Sequence, residues 1–344
     1  MIIIIPEMPD LSVDAHNKIR ALENLLVAFG ECRHVIWMPT NVATDLIEKN
    51  ILGSYAQRVL IELKSFSTES RGIEKFFAFH LKIDFSAGER LDVEDGKILH
   101  VGYSHIVDSM SLKKSILLTE NLRDSELFKL GGEIFLFSNK LYRFYSVSLE
   151  QLPGGGNTTF DLFNHLEASG AFFLCVIDSD LKHPAGPRGD TAKRFSSTAT
   201  GYEQKRFLKI LDCHEVENII PFSIVQEVSN GAVENSLMYK LGRVSLDRAH
   251  PDHKSGLSLS QAMDQDEKYQ SKHWEAYYSY KCSNKDPWIV PPLGENLLSH
   301  CLNFMSKESI SKLHEKLSPD LDGIWMDLSK SIASWGISMK RRIN

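Results

Sequence analysis

The segment FFLCVIDSD, residues 172–180, decides the fold of this chain. It is an apolar run of strand length that ends in two carboxylates, Asp178 and Asp180, with one residue between them. An unbroken apolar run of this length is typical of a strand that is buried on both faces of a parallel sheet. Neighbouring carboxylates at such a strand end repel each other unless a divalent cation or hydrogen bonds neutralise them. The pattern also allows a plainer interpretation, in which both aspartates cap a turn where the strand leaves the sheet.

The surrounding region, residues 111–230, alternates between strand-like and helix-like patterns. We predict strands over residues 115–119, 141–147 and 171–177, and helices over residues 122–130 and 158–169. This alternation predicts a parallel sheet with crossover helices, and such sheets place ligands beyond the carboxyl ends of their strands. Glu120 and Asp178 would both lie at that edge of the sheet.

The regions on either side have other patterns. Residues 1–110 predict strands over 2–5, 34–38 and 76–85, helices over 11–29 and 40–63, and a hairpin over 91–101 that turns at Asp95-Gly96. After a loop over 181–201 that is rich in Gly, Pro, Lys and Arg and is predicted to be mobile, the chain is mainly helical, most clearly over 261–280, 294–305, 309–317 and 320–338. We therefore predict an α/β protein with three parts: an α+β or α/β domain over 1–110 without an assigned role, a parallel-sheet domain over 111–230, and a helical region over 231–344.

Composition excludes several classes of protein. The chain has 344 residues, of which 42% are hydrophobic, and a net charge of −6, which does not indicate a nucleic-acid binder but leaves room for a local basic patch. The cysteines are scattered and form no CxxC pair, which argues against a zinc ribbon or a disulfide framework; they are Cys32, Cys175, Cys213, Cys282 and Cys301. The sequence predicts no signal peptide and no membrane span, so we expect a cytoplasmic protein.

Further carboxylates accompany the predicted strands. Glu120 follows the first strand, and Asp124 lies four residues later, about one helical turn away on the same side. Glu215 and Glu217 stand two residues apart in CHEVENIIP. Together with the two aspartates of DSD, these residues offer up to six carboxylates in one α/β unit. Oxygen ligands of this kind select hard cations such as Mg²⁺ or Mn²⁺.

A glycine-rich turn and two softer metal ligands lie close to these carboxylates in the sequence. Gly154-Gly155-Gly156 precedes the second predicted helix and forms a turn where the backbone can approach a ligand closely. Cys213 and His214 make zinc conceivable, but the donor set is dominated by oxygen and favours Mg²⁺ or Mn²⁺.

Four motifs in this order resemble a known family. ILLTENLRDSELF, GGGNTTFDLF, CVIDSD and HEVEN, spread over residues 113–222, resemble the Toprim domain, in particular its version in OLD-type nucleases and in standalone Toprim effectors of bacterial anti-phage systems. The resemblance implies a Toprim-like sheet in which one or two divalent ions bind the glutamate after the first strand, the DxD pair and a later acidic pair. Carried over, the catalytic residues are Glu120, Asp178, Asp180 and Glu217, and Asp124 and Glu215 are candidates for a second metal site.

Three features depart from the family pattern. More than a hundred residues precede Glu120, whereas the family's standalone effectors often begin close to this glutamate. Asn121 stands where the family usually has glycine, which is a mild change because Asn tolerates cap geometry. The chain also has no GxxxxGK[ST] motif, which OLD proteins carry, so any ATP-dependent step would come from a separate subunit.

The expected function is metal-dependent hydrolysis of DNA or RNA, tRNA included, by an endonuclease that acts as an effector of anti-phage defence. One Mg²⁺ or Mn²⁺ would be bound by Glu120, Asp178 and Asp180, and a second by Asp124 with Glu215 and Glu217. By resemblance, the protein would be a homodimer that a separately encoded ABC-type ATPase holds inactive until infection.

Other interpretations stay open. The chain could be a catalytically silent Toprim subunit that binds metal or nucleic acid, or another DxD enzyme such as a glycosyltransferase or a phosphohydrolase, although neither of these enzymes accounts for Glu120 or HEVEN. Glu120 could serve only the start of a helix, and Asp124, Glu215 and Glu217 could be solvated surface residues. The loop residues that could contact phosphates, or simply keep the loop soluble, are His183, Arg188, Lys193 and Arg194.

Overall fold

The computed structural model describes residues 1–280 and 286–341. Two five-stranded sheets, both mostly parallel, lie among helices, which confirms the α/β fold class. Cys175, Cys213 and Cys301 are buried and form no disulfide, while Cys282 lies outside the described residues. Within the described part of the chain, no helix is both long and apolar enough to cross a membrane.

The first sheet lies within the first 102 residues and has the strand order β2-β1-β3-β5-β4. Its strands are β1 (Ile2–Ile4), β2 (Val35–Trp37), β3 (His80–Asp84), β4 (Leu91–Glu94) and β5 (Ile98–Gly102). All neighbours pair in parallel except β4 and β5, which form the predicted hairpin. Asp95 and Gly96 turn this hairpin with φ values of 51° and 64°, as an Asp-Gly turn requires.

Three helices accompany this sheet: α1 (Ala15–Gly30), α2 (Thr40–Lys49) and α3 (Ser54–Phe66). The single helix predicted over residues 40–63 is therefore wrong. Asn50 ends α2 in the left-handed conformation, with φ 45°, and Gly53 precedes α3 in an extended conformation. One short non-helical link, residues 50–53, thus divides a continuous amphipathic pattern into two helices.

The second sheet has the order β10-β11-β9-β6-β8. Its strands are β6 (Ile116–Thr119), β8 (Glu150–Pro153), β9 (Phe173–Ile177), β10 (Gly201–Glu203) and β11 (Arg206–Ile210), and β10 alone pairs antiparallel. All five residues of β9 are buried between β6 and β11, as the apolar run predicted. Helices α4 (Leu122–Ser138), α5 (Thr159–Ala168) and the short α6 (Asp190–Arg194) belong to this region. The carboxyl ends of β8, β6, β9 and β11 therefore lie along one edge.

Two predictions for this sheet are wrong. Only Tyr145–Val147 (β7) of the strand predicted over 141–147 is extended, and it pairs antiparallel with β14 (Ile337–Met339) in a separate two-stranded sheet. The sheet instead takes Glu150–Pro153, a short edge strand too polar to stand out in the sequence. The strand Arg206–Ile210 lies where a mainly helical pattern was predicted, and it carries residues 211–217 to the edge with the aspartates.

The C-terminal region is mainly helical, as predicted. Its elements are α7 (Phe222–Val228), α8 (Leu237–Lys240), α9 (Val244–Asp247), β12 (Leu257–Ser258), α10 (Leu259–Tyr269), β13 (Trp288–Val290), α11 (Leu297–Met305), α12 (Ile310–Glu315) and α13 (Gly323–Gly336). Helix α13 packs along α4. The buried ring of Phe79 stacks against both Tyr202 and Trp335, at centroid distances of 4.7 and 5.2 Å, and so joins the two sheets to α13.

Candidate metal centre

Parallel pairing brings Glu120 and Asp178 together. Thr119, the last residue of β6, pairs with Val176 of β9, so the residues that follow the two strands emerge side by side. The backbone N–H of Asp178 favours the charged form of the Glu120 carboxylate and so opposes the rise in its pKa. The prediction that both carboxylates lie at the carboxyl edge of the sheet is confirmed.

The DSD turn fixes Asp180 by backbone contacts. Asp180 adopts the left-handed conformation, with φ 54°, and its N–H donates to the carbonyl of His214 at 2.9 Å. Ser179 is buried, and its hydroxyl donates to the carbonyl of Cys213. A side chain at Gly189 would collide with the Asp180 carboxylate, so only glycine fits there. These contacts tie the aspartates to the segment that contains HEVEN.

The HEVEN segment is packed and not solvated. Glu217 is 3% exposed and lies on the single 3₁₀ turn Val216–Ile219. Asn218 holds this turn in place, because its amide donates to the carbonyls of Arg248 and Pro251 at 2.8 and 2.9 Å. The interpretation of Glu217 as a solvated surface residue is therefore wrong.

Lys254 is a member of the site that sequence reasoning missed. Its ammonium nitrogen lies 2.9 Å from Oε2 of Glu215 and 3.2 Å from Oε1 of Glu217. Burial opposes the charge on Lys254, but the two carboxylates outweigh it and raise its pKa. The lysine stands in the loop that joins α9 to β12, where neither a motif nor a periodic pattern marks it.

His214 lies among the carboxylates of the candidate site. Ligand atoms of His214, Asp180 and Glu215 all lie within 4.8 Å of one another, close enough to share one ion. Burial lowers the pKa of His214, which keeps the imidazole neutral and able to act as a ligand. The sequence marked this histidine only through its position next to the acidic pair.

Asp124 has a structural role that limits its use as a ligand. It is 6% exposed, and its Oδ2 accepts the backbone N–H of Asn121 at 3.0 Å. Asn121 returns the bond through its side chain, so the two residues form a capping box at the start of α4. The interpretation of Asp124 as a solvated residue is wrong, and Asn121 fits the cap that its sequence position suggested.

Burial and mutual repulsion raise the pKa of most carboxylates in this group. The pKa of Glu120 rises to about 7 because the group is buried and close to Asp180 and Asp124. Burial raises the pKa of Asp124 to about 6. The pKa of Asp178 lies well above its usual value, through burial and then through the charges of Asp124 and Glu120. Burial also raises the pKa values of Asp180 and Glu217.

The donor atoms fit a hard cation. Among the described residues, no group donates a hydrogen bond to Oε1 of Glu120 or to Oε2 of Glu217, although both oxygens are buried. A buried carboxylate oxygen without a donor is costly, and a divalent ion can supply the missing contact. The oxygen-rich set suits Mg²⁺ or Mn²⁺ better than zinc.

The glycine turn serves the backbone of Glu120. Gly154 donates to the carbonyl of Thr119 at 2.6 Å, and Gly155 donates to the carbonyl of Glu120 at 3.0 Å. Gly155 and Gly156 have φ values of 72° and 66°, which strain other residues. A Cβ atom at Gly156 would lie 3.9 Å from Oε2 of Glu120, so the carboxylate faces this turn.

The basic residues of the loop after DSD are mostly engaged elsewhere. His183 is fully buried and hydrogen-bonds Asp266 at 2.9 Å, so it does not reach a phosphate in this structure. Lys193 pairs with Asp190 at 3.0 Å, and Arg194 pairs with Asp161 at 2.7 Å. Arg188 is exposed.

No protein-family model matches the chain, and neither does any curated protein or solved structure. The resemblance to the Toprim domain therefore stays a prediction that rests on the four motifs.

Proposed function

We propose that this protein is a divalent-metal-dependent nuclease that hydrolyses phosphodiester bonds in DNA or RNA. The observation that carries the proposal is the crowding of carboxylates at the carboxyl edge of a parallel sheet, where Glu120 and Asp178 emerge side by side and where burial and neighbouring carboxylates raise the pKa of both. Such an arrangement is unfavourable by itself and becomes favourable when a cation binds.

Each residue has a role in this proposal. Glu120, Asp178 and Asp180 would hold the ion. Of these three, Asp180 also lies with His214 and Glu215 in a group whose ligand atoms are all within 4.8 Å of one another, so His214 and Glu215 are close enough to join them. Mg²⁺ or Mn²⁺ at this position supplies positive charge to a phosphate oxygen. Lys254 holds Glu215 and Glu217 in place and presents its own positive charge beside the site.

The other contacts of the second-site candidates support a proposal of one ion, where the resemblance allows two. Asp124 uses one oxygen to cap α4, and Lys254 already neutralises Glu215 and Glu217. All three candidates for the second site thus have other partners, and Glu215 lies close enough to Asp180 and His214 to share the same single ion. We propose a single ion, with Lys254 in place of a second one.

Cleavage by the purified protein tests this proposal. Mg²⁺ or Mn²⁺ should support hydrolysis of plasmid DNA or tRNA, and Asp178→Asn and Glu120→Gln should each lower the rate at least about a hundredfold. Glu126→Gln is the matched control, because Glu126 is an exposed carboxylate on the same helix as Asp124. Equal metal-dependent cleavage by Asp178→Asn and the wild type would overturn the assignment.

Regulation follows from the resemblance alone. We propose a cytoplasmic defence effector, dimeric when active, that a separately encoded ABC-type ATPase restrains until phage infection. The test is cell growth on expression of the chain alone and together with an ATPase encoded beside it. Harmlessness in every combination, with no effect of Glu120→Gln on phage protection, would contradict this part of the proposal.

One observation favours a second candidate function, a subunit that binds nucleic acid without cutting it. The ion pairs of Lys254 neutralise part of the acidic group without any metal. This candidate predicts nucleic-acid binding with no hydrolysis at any Mg²⁺ or Mn²⁺ concentration, which the same cleavage assay detects.

A further inference from the structure

One face of the first sheet carries polar and aromatic side chains instead of a sealed apolar surface. On β3, the buried residues Leu81 and Ile83 alternate with the half-exposed His80 and Lys82. Residues that pair across strands lie side by side on one face. Ile4 pairs with Trp37 on one neighbouring strand and with Lys82 on the other, so an indole and an ammonium flank an aliphatic residue.

A groove of about 970 Å³ lies over this face. Its floor includes Trp37 and Lys82, and its walls include Tyr202 of β10 and Lys330 of α13. The groove thus runs between the first sheet, the second sheet and the C-terminal helix. Clefts between structural units of this kind are common places for ligands.

The charge of the groove is opposite to that of the whole chain. Its lysines are Lys75, Lys82, Lys97 and Lys330. None of them forms an ion pair with another described residue, and the only acidic lining residues are Glu74 and Asp95. A chain of net charge −6 thus keeps four unpaired ammonium groups in one concave place, which is the electrostatic pattern of a site for a polyanion.

Trp37 offers a fixed ring in the same groove. Its indole Nε1 donates to the carbonyl of Ser67 at 2.9 Å, which holds the ring in one orientation. The side chain is half-exposed, and no other described aromatic ring packs against it. Trp37 and Lys82 are separated by two strand spacings, about 10 Å. A base stacked on the indole could therefore place a neighbouring phosphate near the ammonium of Lys82.

We propose that this groove binds single-stranded nucleic acid, with phosphates on the lysines and a base stacked on Trp37. A positively charged groove with a stacking ring is how proteins hold single strands. A duplex is less suitable, because its bases are already stacked and do not reach a ring on the groove floor. This inference rests on the proposed function and adds that the substrate is single-stranded. Binding in the groove and cleavage at the carboxylates involve different residues, so each can be tested without the other.

Binding of labelled 20-nucleotide single strands of DNA and RNA, followed by fluorescence anisotropy, tests the lysines. All proteins carry Asp178→Asn, so that cleavage does not interfere. The double variant Lys75→Glu/Lys97→Glu should raise Kd at least about tenfold and lower the salt dependence by about 0.7 for each lost phosphate contact. The control Lys49→Glu/Lys114→Glu changes the same charge at exposed lysines outside the groove and should leave Kd within about twofold.

Substitution of Trp37 tests the stacking. Trp37→Ala should weaken binding about tenfold, and Trp37→Phe should restore most of it, since phenylalanine keeps a ring. Thermal unfolding shows whether each variant is folded; should Trp37→Ala not fold, the lysine variants decide. The proposal is overturned if no single strand binds, if groove and control variants behave alike, or if duplex of equal length binds more tightly. The groove variants are also made without Asp178→Asn; loss of strand binding while these proteins still cleave short substrates separates this proposal from the proposed function.

Discussion

At the scale of single residues, the carboxylates of the site are costly without a cation. Glu120 and Asp178 come to the same edge because β6 and β9 pair in parallel, and burial then raises the pKa of each. For Glu215 and Glu217, the ammonium group of Lys254 neutralises the charge through ion pairs with both carboxylates. The site thus contains two sets of carboxylates: Glu215 and Glu217 have a lysine as counter-ion, whereas Glu120 and Asp178 have none among the described residues.

The first prediction concerns pH. The pKa of Glu120 in the folded protein, about 7, is above that of the unfolded chain, so the folded state binds its proton more tightly. The contribution of Glu120 to the stability of the metal-free protein should therefore fall as pH rises from about 4.5 to 7. Glu120→Gln removes this loss. We therefore expect the free energy of unfolding of the variant to be higher than that of the wild type by about 1–2 kcal/mol at pH 8, a figure that allows for the partial exposure of Glu120. The difference should be much smaller at pH 5.

Urea unfolding of both proteins at the two pH values measures this effect. The difference between them cancels the contributions of buried histidines such as His253, whose pKa falls to about 3 through burial and which titrate in both proteins. Saturating Mn²⁺ should remove the advantage of the variant by stabilising the wild type. A difference that does not change between pH 5 and pH 8 contradicts the prediction.

The second prediction concerns Lys254. Lys254→Met leaves Glu215 and Glu217 without their ammonium partner, and we expect a loss of about 3 kcal/mol in unfolding free energy at pH 8. The loss should shrink as pH falls, because burial raises the pKa of Glu217 and a protonated carboxyl no longer needs the ammonium. Lys182→Met is the control, because Lys182 is 59% exposed and its pair with Asp252 is 3.3 Å long. Equal effects of the two changes would mean that the pairs of Lys254 do not hold the site together.

At the scale of elements, the site depends on turns that only glycine permits. The loop after β9 returns to the DSD turn, where the N–H of Gly189 donates to the carbonyl of Ser179 at 2.9 Å. This loop was predicted to be mobile from its composition. The structure anchors it at Gly189 and at His183, which is buried against Asp266, and its mobility stays a prediction.

The third prediction follows from this turn. Gly189→Ala drives a methyl group into the Asp180 carboxylate, so it should displace Asp180 and weaken Mn²⁺ binding at least about tenfold. Gly323→Ala is the control, because a Cβ atom there meets nothing within 4 Å. Mn²⁺ titration by calorimetry compares the two variants. Unchanged Mn²⁺ affinity in Gly189→Ala would show that Asp180 is not a ligand.

At the scale of the whole molecule, the two sheets and α13 share packed aromatic rings. The ring of Phe79, which directly precedes β3 of the first sheet, lies against Tyr202 of the second sheet and Trp335 of α13. Buried residues from all three regions belong to one continuous core. We therefore expect them to unfold together.

The fourth prediction tests this coupling. Phe79→Ala should cost about 3–5 kcal/mol, because it leaves a cavity among rings of three regions. Phe76→Ala, three residues earlier and 45% exposed in the wild type, should cost less than about 1 kcal/mol. Chemical unfolding followed by tryptophan fluorescence measures both. Separate transitions for the N-terminal and C-terminal regions in the wild type would contradict a shared core.

The sequence by itself determined the α/β class, the buried strand before DSD and the edge where Glu120 and Asp178 meet. These features follow from local rules, since an apolar run of strand length and its polar end are written in neighbouring residues. It did not reveal Glu150–Pro153 or Arg206–Ile210 as strands, because a short edge strand and a five-residue run carry little periodic signal. Only the tertiary structure decided that Lys254 pairs with HEVEN and that four lysines share a groove with Trp37. Those contacts join residues far apart in the chain, and their energy depends on distance and burial, which no local pattern records.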